Sequence, residues 1–291
     1  MMRLHLAMST TRGSTTIMRL NERRQMAVIA ELADEHEVRP ASQGGGVVAF
    51  MAGAPWLCSA IGCGLESALT DEGAQAIASY IATRGGRPRI VLTDQSTKPE
   101  FAALARAGLV LEEVERVLAR GLDMPIHTPE VSGLTIERLD ATDGAAVEAL
   151  ARFTMDGFAE PGKPAPAAQV EPMIRSQKHP RSRGFWAFVD GEPAATCGME
   201  VVSISPMPGQ GPIKVASLWG ATVDQRFRRR GIQQALIAHR LRQGQEEGCA
   251  LAVIECEPGI PTERNAARLG FTLAYTRLAF AAPVAADETS G

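Results

Sequence analysis

Hydrophobic and polar positions alternate along this chain in short segments that predict a succession of strands and helices. In the second half, the pattern predicts strands at 134–139, 185–189, 195–204, 213–223, 251–256 and 271–280, and helices at 141–158, 231–247 and 262–269. In the first half, it predicts helices at 17–36, 71–82 and 100–107, and strands at 47–51, 57–63, 90–92 and 109–118. Strands interleaved with helices predict the α/β (α+β) class.

Two landmarks of the first half recur in the second half in the same order. Residues 50–55 (Phe-Met-Ala-Gly-Ala-Pro) resemble 188–193 (Phe-Val-Asp-Gly-Glu-Pro), and 105–111 (Ala-Arg-Ala-Gly-Leu-Val-Leu) resemble 267–273 (Ala-Arg-Leu-Gly-Phe-Thr-Leu). Both matches are short, so chance is the alternative to a duplication. We predict a duplicated chain with a tail at 1–16, domains at 17–122 and 134–282, a Pro/Gly-containing linker at 123–133 and a tail at 283–291.

Composition excludes several classes of protein. The 291 residues are 45% hydrophobic and 22% charged with a net charge of −3, which is too apolar and too balanced for a disordered chain. No apolar run approaches the roughly 18 residues of a membrane span, and a near-neutral chain is atypical of nucleic-acid binding. We therefore expect neither a membrane nor a nucleic-acid partner.

Cysteine and histidine are scattered along the chain. The five cysteines show no CxxC spacing and have mostly apolar neighbours, which predicts buried, reduced thiols in a cytoplasmic protein. The five histidines show no metal-ligand spacing, so no metal site is predicted.

The most unusual segment is an arginine-rich turn between a predicted strand and a predicted helix. Arg226, Arg228, Arg229 and Arg230 lie within five positions and are followed by Gly231. Helix N-terminal amides, a glycine without a Cβ and arginine side chains together favour an anion, and a pyrophosphate fits best. A solvated basic surface or a nucleic-acid patch is the alternative, although only Phe227 is aromatic there.

At this turn the sequence resembles the GCN5-related N-acetyltransferases (GNAT superfamily). Val223-x-x-x-x-Arg228-x-x-Gly231-x-Gln233 is similar to that family's motif A, Gln/Arg-x-x-Gly-x-Gly/Ala, and residues 265–271 (Asn-Ala-Ala-Arg-Leu-Gly-Phe) are similar to the end of its motif B. The resemblance covers residues 134–282, and residues 17–122 look like a degenerate copy, as in tandem members of the family. It implies two GNAT-like units, each a mixed, mostly antiparallel sheet flanked by helices.

The resemblance also implies a cofactor site for acetyl-CoA as co-substrate, without a metal. Backbone at Ala221, Thr222 and Val223 would pair with the pantetheine arm, and strand 251–256 would splay away to open a cleft. The residues implied at the pyrophosphate and in motif B are Arg228, Arg229, Arg230, Gly231, Ile232, Gln233 and Asn265. Whether Arg226 or Arg230 reaches the 3′-phosphate or stays in solvent is left open by the sequence.

Two positions depart from the family pattern. Gln233 replaces the last small residue of motif A, so its side chain must point away from the pyrophosphate. The place where such enzymes often have a tyrosine as general acid holds Ala266, and the nearest tyrosine is Tyr275. The proton donor is therefore undefined.

Acyl transfer to an amine requires a base, which is able to act through water. The candidates are Glu200, Glu255 and Glu257, and strand alternation puts the last two on one face, opposite Cys256. The alternative for each glutamate is a solvent-facing or ion-paired side chain. Thr262 could contact the cofactor or cap its helix.

The first copy has Asp71 and Glu72 where the second has its arginines, and Gly73 corresponds to Gly231. Because acidic side chains repel a pyrophosphate, we predict that this half does not bind acetyl-CoA. We expect it to contribute packing and one wall of the substrate cleft, where Trp56 and Cys58 are candidates for lining or, alternatively, for the core.

These observations predict an acetyl-CoA-dependent N-acyltransferase. It would move an acetyl group directly to the primary amine of a small-molecule or amino-acid-like acceptor, as a monomer or homodimer. A non-catalytic acyl-CoA-binding or sensing module is the alternative. Basic residues at 175–183 would suit an anionic acceptor or a solvated loop.

Overall fold

The computed structural model describes residues 11–160, 162–206 and 209–284, and divides into two compact units. The C-terminal unit contains residues 11–20 and 117–274, and the N-terminal unit contains residues 21–116 and 275–284. Each unit thus takes two segments of the chain, whereas the predicted domains 17–122 and 134–282 are contiguous. None of the helices in the described ranges combines the length and hydropathy that crossing a membrane requires.

The described residues form seven α-helices and eleven β-strands. The helices are α1 (Thr11–Leu32), α2 (Asp71–Ala82), α3 (Lys98–Arg106), α4 (Gly144–Phe158), α5 (Ala167–Lys178), α6 (Ile232–Glu246) and α7 (Pro261–Arg268). The strands are β1 (Glu35–Val38), β2 (Val47–Phe50), β3 (Ala60–Ile61), β4 (Arg89–Thr93), β5 (Val110–Gly121), β6 (Leu134–Arg138), β7 (Ser182–Val189), β8 (Glu192–Ile204), β9 (Ile213–Val223), β10 (Leu251–Cys256) and β11 (Thr272–Ala281).

Most predicted elements are present, but two elements were not predicted and one predicted tail is partly helical. Helix α5 was not predicted, because Pro172 inside it reads as a helix breaker. Strand β1 was not predicted, because all four of its residues are exposed and it has no hydrophobic alternation. The predicted tail 1–16 is helical from Thr11 onward, and residues 1–10 and 285–291 of the two predicted tails lie outside the described residues.

The N-terminal unit contains a sheet in the order β1-β2-β3-β4-β11. Strands β3 and β4 are parallel, and the other neighbours are antiparallel. Helices α2 and α3 cover this sheet through a buried cluster that includes Ile77, Ile81, Ile90 and Leu104. Removing these apolar side chains from water stabilises the unit.

The C-terminal unit contains strands in the order β5-β10-β9-β8-β7-β6, and only residues 117–121 of β5 belong to it. Strands β9 and β10 are parallel, whereas β6 to β9 are antiparallel. The face of α6 packs on this sheet, with Leu236 and Leu241 against Phe185, Leu218 and other buried side chains. Both units are therefore mixed, mostly antiparallel sheets flanked by helices, which confirms the predicted fold class.

Candidate functional site

The arginine-rich turn leads from the end of β9 into α6. Gly231 is the N-cap of α6 with φ +84°, and no side chain caps the helix. This left-handed backbone conformation favours glycine. The space around the residue does not require glycine, because the nearest neighbour of a Cβ at Gly231 would be Val131 Cγ2, at 3.5 Å. The first-turn amides of α6 have no partner within the helix, which is the arrangement that binds anions.

The turn borders a cavity of about 650 Å³ that the ends of α4, β9 and α7 complete. Nine residues predicted to bind the cofactor line it: Ala221, Thr222, Val223, Arg228, Arg229, Gly231, Ile232, Gln233 and Asn265. The tenth, Arg230, does not line the cavity, and its guanidinium lies 5.7 Å from the centroid of the Phe227 ring. The structure therefore brings residues from two distant motifs to one concave surface.

Every charged side chain that lines the cavity is an arginine. Arg228 and Arg229 come from the turn, and Arg264 and Arg268 come from α7. Within the described residues, none of the four forms an ion pair with a carboxylate. Their charge is thus available to a polyanion, and the two α7 arginines were not among the predicted cofactor ligands.

Arg226, the other arginine that the sequence left open, is already engaged. Its guanidinium lies 3.1 Å from Asp224 Oδ2 and 3.3 Å from Glu192 Oε2, and it does not line the cavity. The hydrogen bond from Arg226 lowers the pKa of Asp224, which favours the charged form of this carboxylate. A phosphate at Arg226 would have to compete with these two carboxylates.

Side-chain amides connect α6 to α7 at the edge of the cavity. Gln233 Nε2 donates to Thr262 Oγ1 at 2.9 Å, and Asn265 Nδ2 donates to Gln233 Oε1 at 2.6 Å. Gln234 Nε2 and Arg268 Nη1 both donate to Asn265 Oδ1, at 3.0 and 3.1 Å. The Gln233 side chain thus bonds to α7. Thr262 accepts this hydrogen bond and does not cap its helix, since the N-cap of α7 is Ile260.

The last five residues of β9 have one side without a paired strand among the described residues. Strand β10 pairs with β9 from Leu251↔Val215 to Ile254↔Leu218, and the pairing stops there in the described residues. On the other side, Thr222 and Val223 pair with Thr196 and Ala195 of β8. The backbone from Ala221 to Val223 therefore lines the cavity with hydrogen-bonding groups, at the place where the resemblance implied a splayed strand pair.

None of the three glutamates predicted as bases lines this cavity. Glu200 is on β8, in register with Ser217 of β9, and is 7% exposed. Glu255 is half-buried on β10, and Glu257 is exposed just after that strand, with Cys256 buried between them. The alternation of these neighbours is as expected, whereas their role in catalysis stays a prediction.

Neither residue considered for the proton donor supplies one to the cavity. Ala266 is fully buried in the hydrophobic core. Tyr275 belongs to the N-terminal unit, where its hydroxyl donates to Glu22 Oε1 at 2.6 Å and accepts from Asn21 Nδ2 at 2.8 Å. Tyr275 therefore does not supply to this cavity the hydroxyl that a tyrosine in place of Ala266 would supply.

The corresponding helix start in the N-terminal unit is built differently. Thr70 is the N-cap of α2, and its side chain accepts a hydrogen bond from the Gly73 amide at 3.1 Å. A Cβ at Gly73 would lie 2.0 Å from the carbonyl oxygen of Gln43, so close backbone packing requires this glycine. Asp71 pairs with Arg106 at 2.6 Å. The helix terminus thus has a capping side chain and an acidic first turn.

The five cysteines are all free and buried, which confirms the prediction for the thiols. Burial raises the pKa of Cys63 to about 12 and that of Cys249 to about 11. Among the described residues, no group of three or more His, Cys, Asp or Glu side chains could hold a metal ion.

Comparison with known proteins identifies the class to which this site belongs. Residues 147–271 match the sequence model of the Acetyltransferase (GNAT) family, whose members transfer an acetyl group from an acyl-CoA. No curated protein matches the chain. Residues 147–271 thus match the GNAT acetyltransferase family, which the arginine-glycine motif also indicated.

Solved structures extend the likeness to both units. A GCN5-related N-acetyltransferase from Kribbella flavida is 18% identical, with 93% of this chain and 96% of that chain covered and a TM-score of 0.56. One from Sphaerobacter thermophilus is 16% identical, with coverage of 84% and 75% and a TM-score of 0.54. A tandem GNAT protein from the clavulanic acid biosynthesis pathway is 14% identical, with coverage of 87% and 85% and a TM-score of 0.57. Because the identities are this low, the likeness shows a shared fold and nothing more.

Proposed function

We propose that the protein is an acetyl-CoA-dependent N-acyltransferase that moves an acetyl group directly to the primary amine of a small-molecule or amino-acid-like acceptor. One observation carries the proposal: the cavity combines an uncapped helix N-terminus with four arginines and no lining carboxylate. Such a site favours the phosphates of acetyl-CoA through both the helix dipole and charge-assisted hydrogen bonds.

Different parts of the cavity would hold different parts of the co-substrate. Backbone amides at 228–233 would bind the pyrophosphate, and Arg264 and Arg268 would hold the remaining phosphate. The backbone from Ala221 to Val223 would pair with the pantetheine arm. This division is supported by the geometry of β9, whose unpaired side begins beyond Leu218.

The transfer itself requires two bond changes and two proton movements. The acceptor nitrogen attacks the thioester carbonyl carbon, the C–N bond forms and the C–S bond breaks. A base takes the proton that the amine loses, and Glu255, Glu257 and Glu200 are the candidates, acting through water. The leaving sulfur takes a proton from solvent, since the lining contains neither a tyrosine nor a carboxylate.

The test is thiol release from acetyl-CoA across a panel of amines, with acetyl-CoA binding measured in parallel by calorimetry. We expect micromolar to millimolar binding and amine-dependent thiol release. The absence of both binding and release would overturn the proposal. Weak binding to DNA with no steep salt dependence, measured on the same samples, would exclude nucleic-acid binding.

A non-catalytic acyl-CoA-binding module is the second candidate. It is favoured by the buried Ala266 at the usual tyrosine position and by the absence of a carboxylate from the cavity lining. Tight binding of acetyl-CoA without turnover of any amine would select this candidate.

We further propose that acetyl-CoA binds the C-terminal unit and not the start of α2. The capping side chain of Thr70 and the acidic residues Asp71 and Glu72 support this assignment. The five free thiols are typical of a reducing compartment, so we propose a cytoplasmic location. A monomer or homodimer remains our proposal for its assembly.

A further inference from the structure

Arg240 is a buried arginine near the middle of α6, and only 2% of its surface is exposed. Its guanidinium donates to three backbone carbonyls: Nε to Leu236 O at 3.1 Å, and Nη1 to Gly198 O at 2.9 Å and to Trp219 O at 3.3 Å. Within the described residues, no carboxylate pairs with it. Burial lowers its pKa, which reflects the cost of holding this charge away from water.

The two strand carbonyls mark the start of a bulge between β8 and β9. Gly198 is in register with Trp219, whereas the next regular pair is Thr196 with Thr222. Only Cys197 separates the β8 residues, but Gly220 and Ala221 separate the β9 residues, so β9 carries the extra residue. Gly220 has φ +59°. A bulge of this kind bends its strand and increases the local twist.

The bulge lies where β9 leaves β10 and reaches the cavity. The β9–β10 pairing ends at Leu218, one residue before the carbonyl that Arg240 holds. The cavity lining begins at Ala221, inside the bulge. The conformation of this short segment therefore decides which way the backbone of Ala221, Thr222 and Val223 faces.

A neutral apolar side chain would fill the space under the bulge without a buried charge. What arginine adds is a rigid, planar set of donors: Nε bonds to the Leu236 carbonyl of its own helix, while Nη1 reaches one carbonyl on each strand. Lysine has the same charge but lacks this fork. The chemistry of the contact therefore points to control of backbone geometry and not to packing alone.

We propose that Arg240 is a positioning residue that holds the β9 bulge in the conformation that binds the pantetheine arm. It acts through the backbone of Ala221 to Val223 and does not touch the co-substrate's phosphates. This inference rests on the proposed function.

The test compares two ligands and three variants. Acetyl-CoA has the pantetheine arm, whereas adenosine 3′,5′-bisphosphate retains phosphates without that arm. Calorimetry would measure both ligands on the wild type, Arg240→Met and Arg240→Lys, with Arg242→Met as the control, because Arg242 is an exposed arginine of the same helix. Arg240→Lys also serves as the second variant if Arg240→Met fails to fold.

We expect Arg240→Met to bind acetyl-CoA about tenfold more weakly, or worse, with little change for the bisphosphate. Arg240→Lys should lie between Arg240→Met and the wild type, and Arg242→Met should match the wild type. An equal loss for both ligands, or no loss for acetyl-CoA, would overturn the inference. If the wild type binds neither ligand, the proposed function fails, and the inference fails with it.

Hydrogen–deuterium exchange of the ligand-free protein adds a readout that does not depend on binding. We expect Arg240→Met to speed exchange in peptides that cover Gly198 and residues 219–223, while the rest of the C-terminal unit keeps its protection. Faster exchange throughout that unit would show that Arg240 stabilises the fold of the whole unit and not the bulge in particular, which would contradict the proposal.

Discussion

Asn265 on α7 donates a hydrogen bond from Nδ2 to Oε1 of Gln233 in the first turn of α6, over 2.6 Å. The same glutamine donates to Thr262 at 2.9 Å, so its side chain links the two helices that border the cavity. Gln233 stands where the family motif has a small residue. The structure shows that its long side chain is turned to α7, and its backbone amide stays in the uncapped first turn of α6.

Gln233→Ala should therefore weaken the link between α6 and α7. Losing both hydrogen bonds should lower the free energy of unfolding by about 1–2 kcal/mol. The affinity for acetyl-CoA should fall only a few-fold, because the backbone amide of residue 233 is retained. Chemical denaturation and calorimetry measure the two effects.

Gln243→Ala is the matched control, since Gln243 lies on the same helix and bonds only to the nearby Glu246 side chain among the described contacts. We expect its stability to stay within about 0.5 kcal/mol of the wild type. Equal effects of the two substitutions would show that the bridge to α7 contributes nothing.

Gly231→Asp should abolish acetyl-CoA binding and leave the fold intact. The aspartate adds backbone strain at φ +84° and a negative charge at the helix N-terminus. Gly231→Ala adds only the strain, about 1–2 kcal/mol, because a Cβ there meets no atom closer than Val131 Cγ2 at 3.5 Å. Calorimetry should therefore rank affinity as wild type, then alanine, then aspartate.

Gly248→Asp controls for strain and charge at the other end of α6. Gly248 also has positive φ (+76°) and nothing within 4 Å of its Cβ position. We expect this variant to bind acetyl-CoA as the wild type does. Unchanged affinity in Gly231→Asp would refute the assignment of the anion site.

Replacing both Arg264 and Arg268 with alanine should remove discrimination between acetyl-CoA and its dephospho form, which lacks the 3′-phosphate. The wild type should prefer acetyl-CoA by about tenfold, because these side chains line the cavity without ion-paired carboxylates. The salt dependence of binding should also become shallower. Competition assays with both ligands measure this preference.

Arg226→Ala is the control for this pair, since Arg226 is paired with Asp224 and Glu192 outside the cavity. Its preference for acetyl-CoA should equal that of the wild type. A loss of preference in Arg226→Ala, with none in the double variant, would assign the phosphate to Arg226.

His239 should make stability depend on pH. Burial, with Arg242 and Arg240 nearby, lowers its pKa in the folded state, and its ring packs edge-on against Phe185 at 4.9 Å. The unfolded chain therefore binds the proton at higher pH than the folded chain. The stabilisation is complete above the unfolded pKa of about 6.5, begins to fall below that value, and is lost as the pH falls through the lower pKa of the folded state.

His239→Leu should flatten the fall in unfolding free energy below about pH 6.5, as measured by urea denaturation at several pH values. The exposed His127 offers a control, and His127→Leu should keep the wild-type slope. If His239→Leu also keeps that slope, another group is responsible for the pH dependence.

Local sequence patterns predicted the elements that are specified by signals within a few neighbouring residues. The predicted α2, β9 and β10 coincide with the structure, because a Thr cap, hydrophobic alternation and a short apolar run are signals that neighbouring residues suffice to produce. Helix α5 escaped prediction because tertiary packing of residues such as Val170 overrides the proline inside it. The bulge in β9 escaped because register is set by the partner strand, which is distant along the chain.

Consecutive residues were enough to predict the kind of site, because a strand, an arginine-rich turn with Gly231 and a helix start lie next to one another in the sequence. Which arginines line the cavity depends on how distant segments fold together. Arg264 and Arg268 come from another helix, while Arg226 pairs with its sequence neighbour Asp224 and also with Glu192, which is distant along the chain. The reason is physical: backbone conformation and helix termini depend on neighbours in sequence, whereas burial, ion pairing and side-chain bridges depend on neighbours in space.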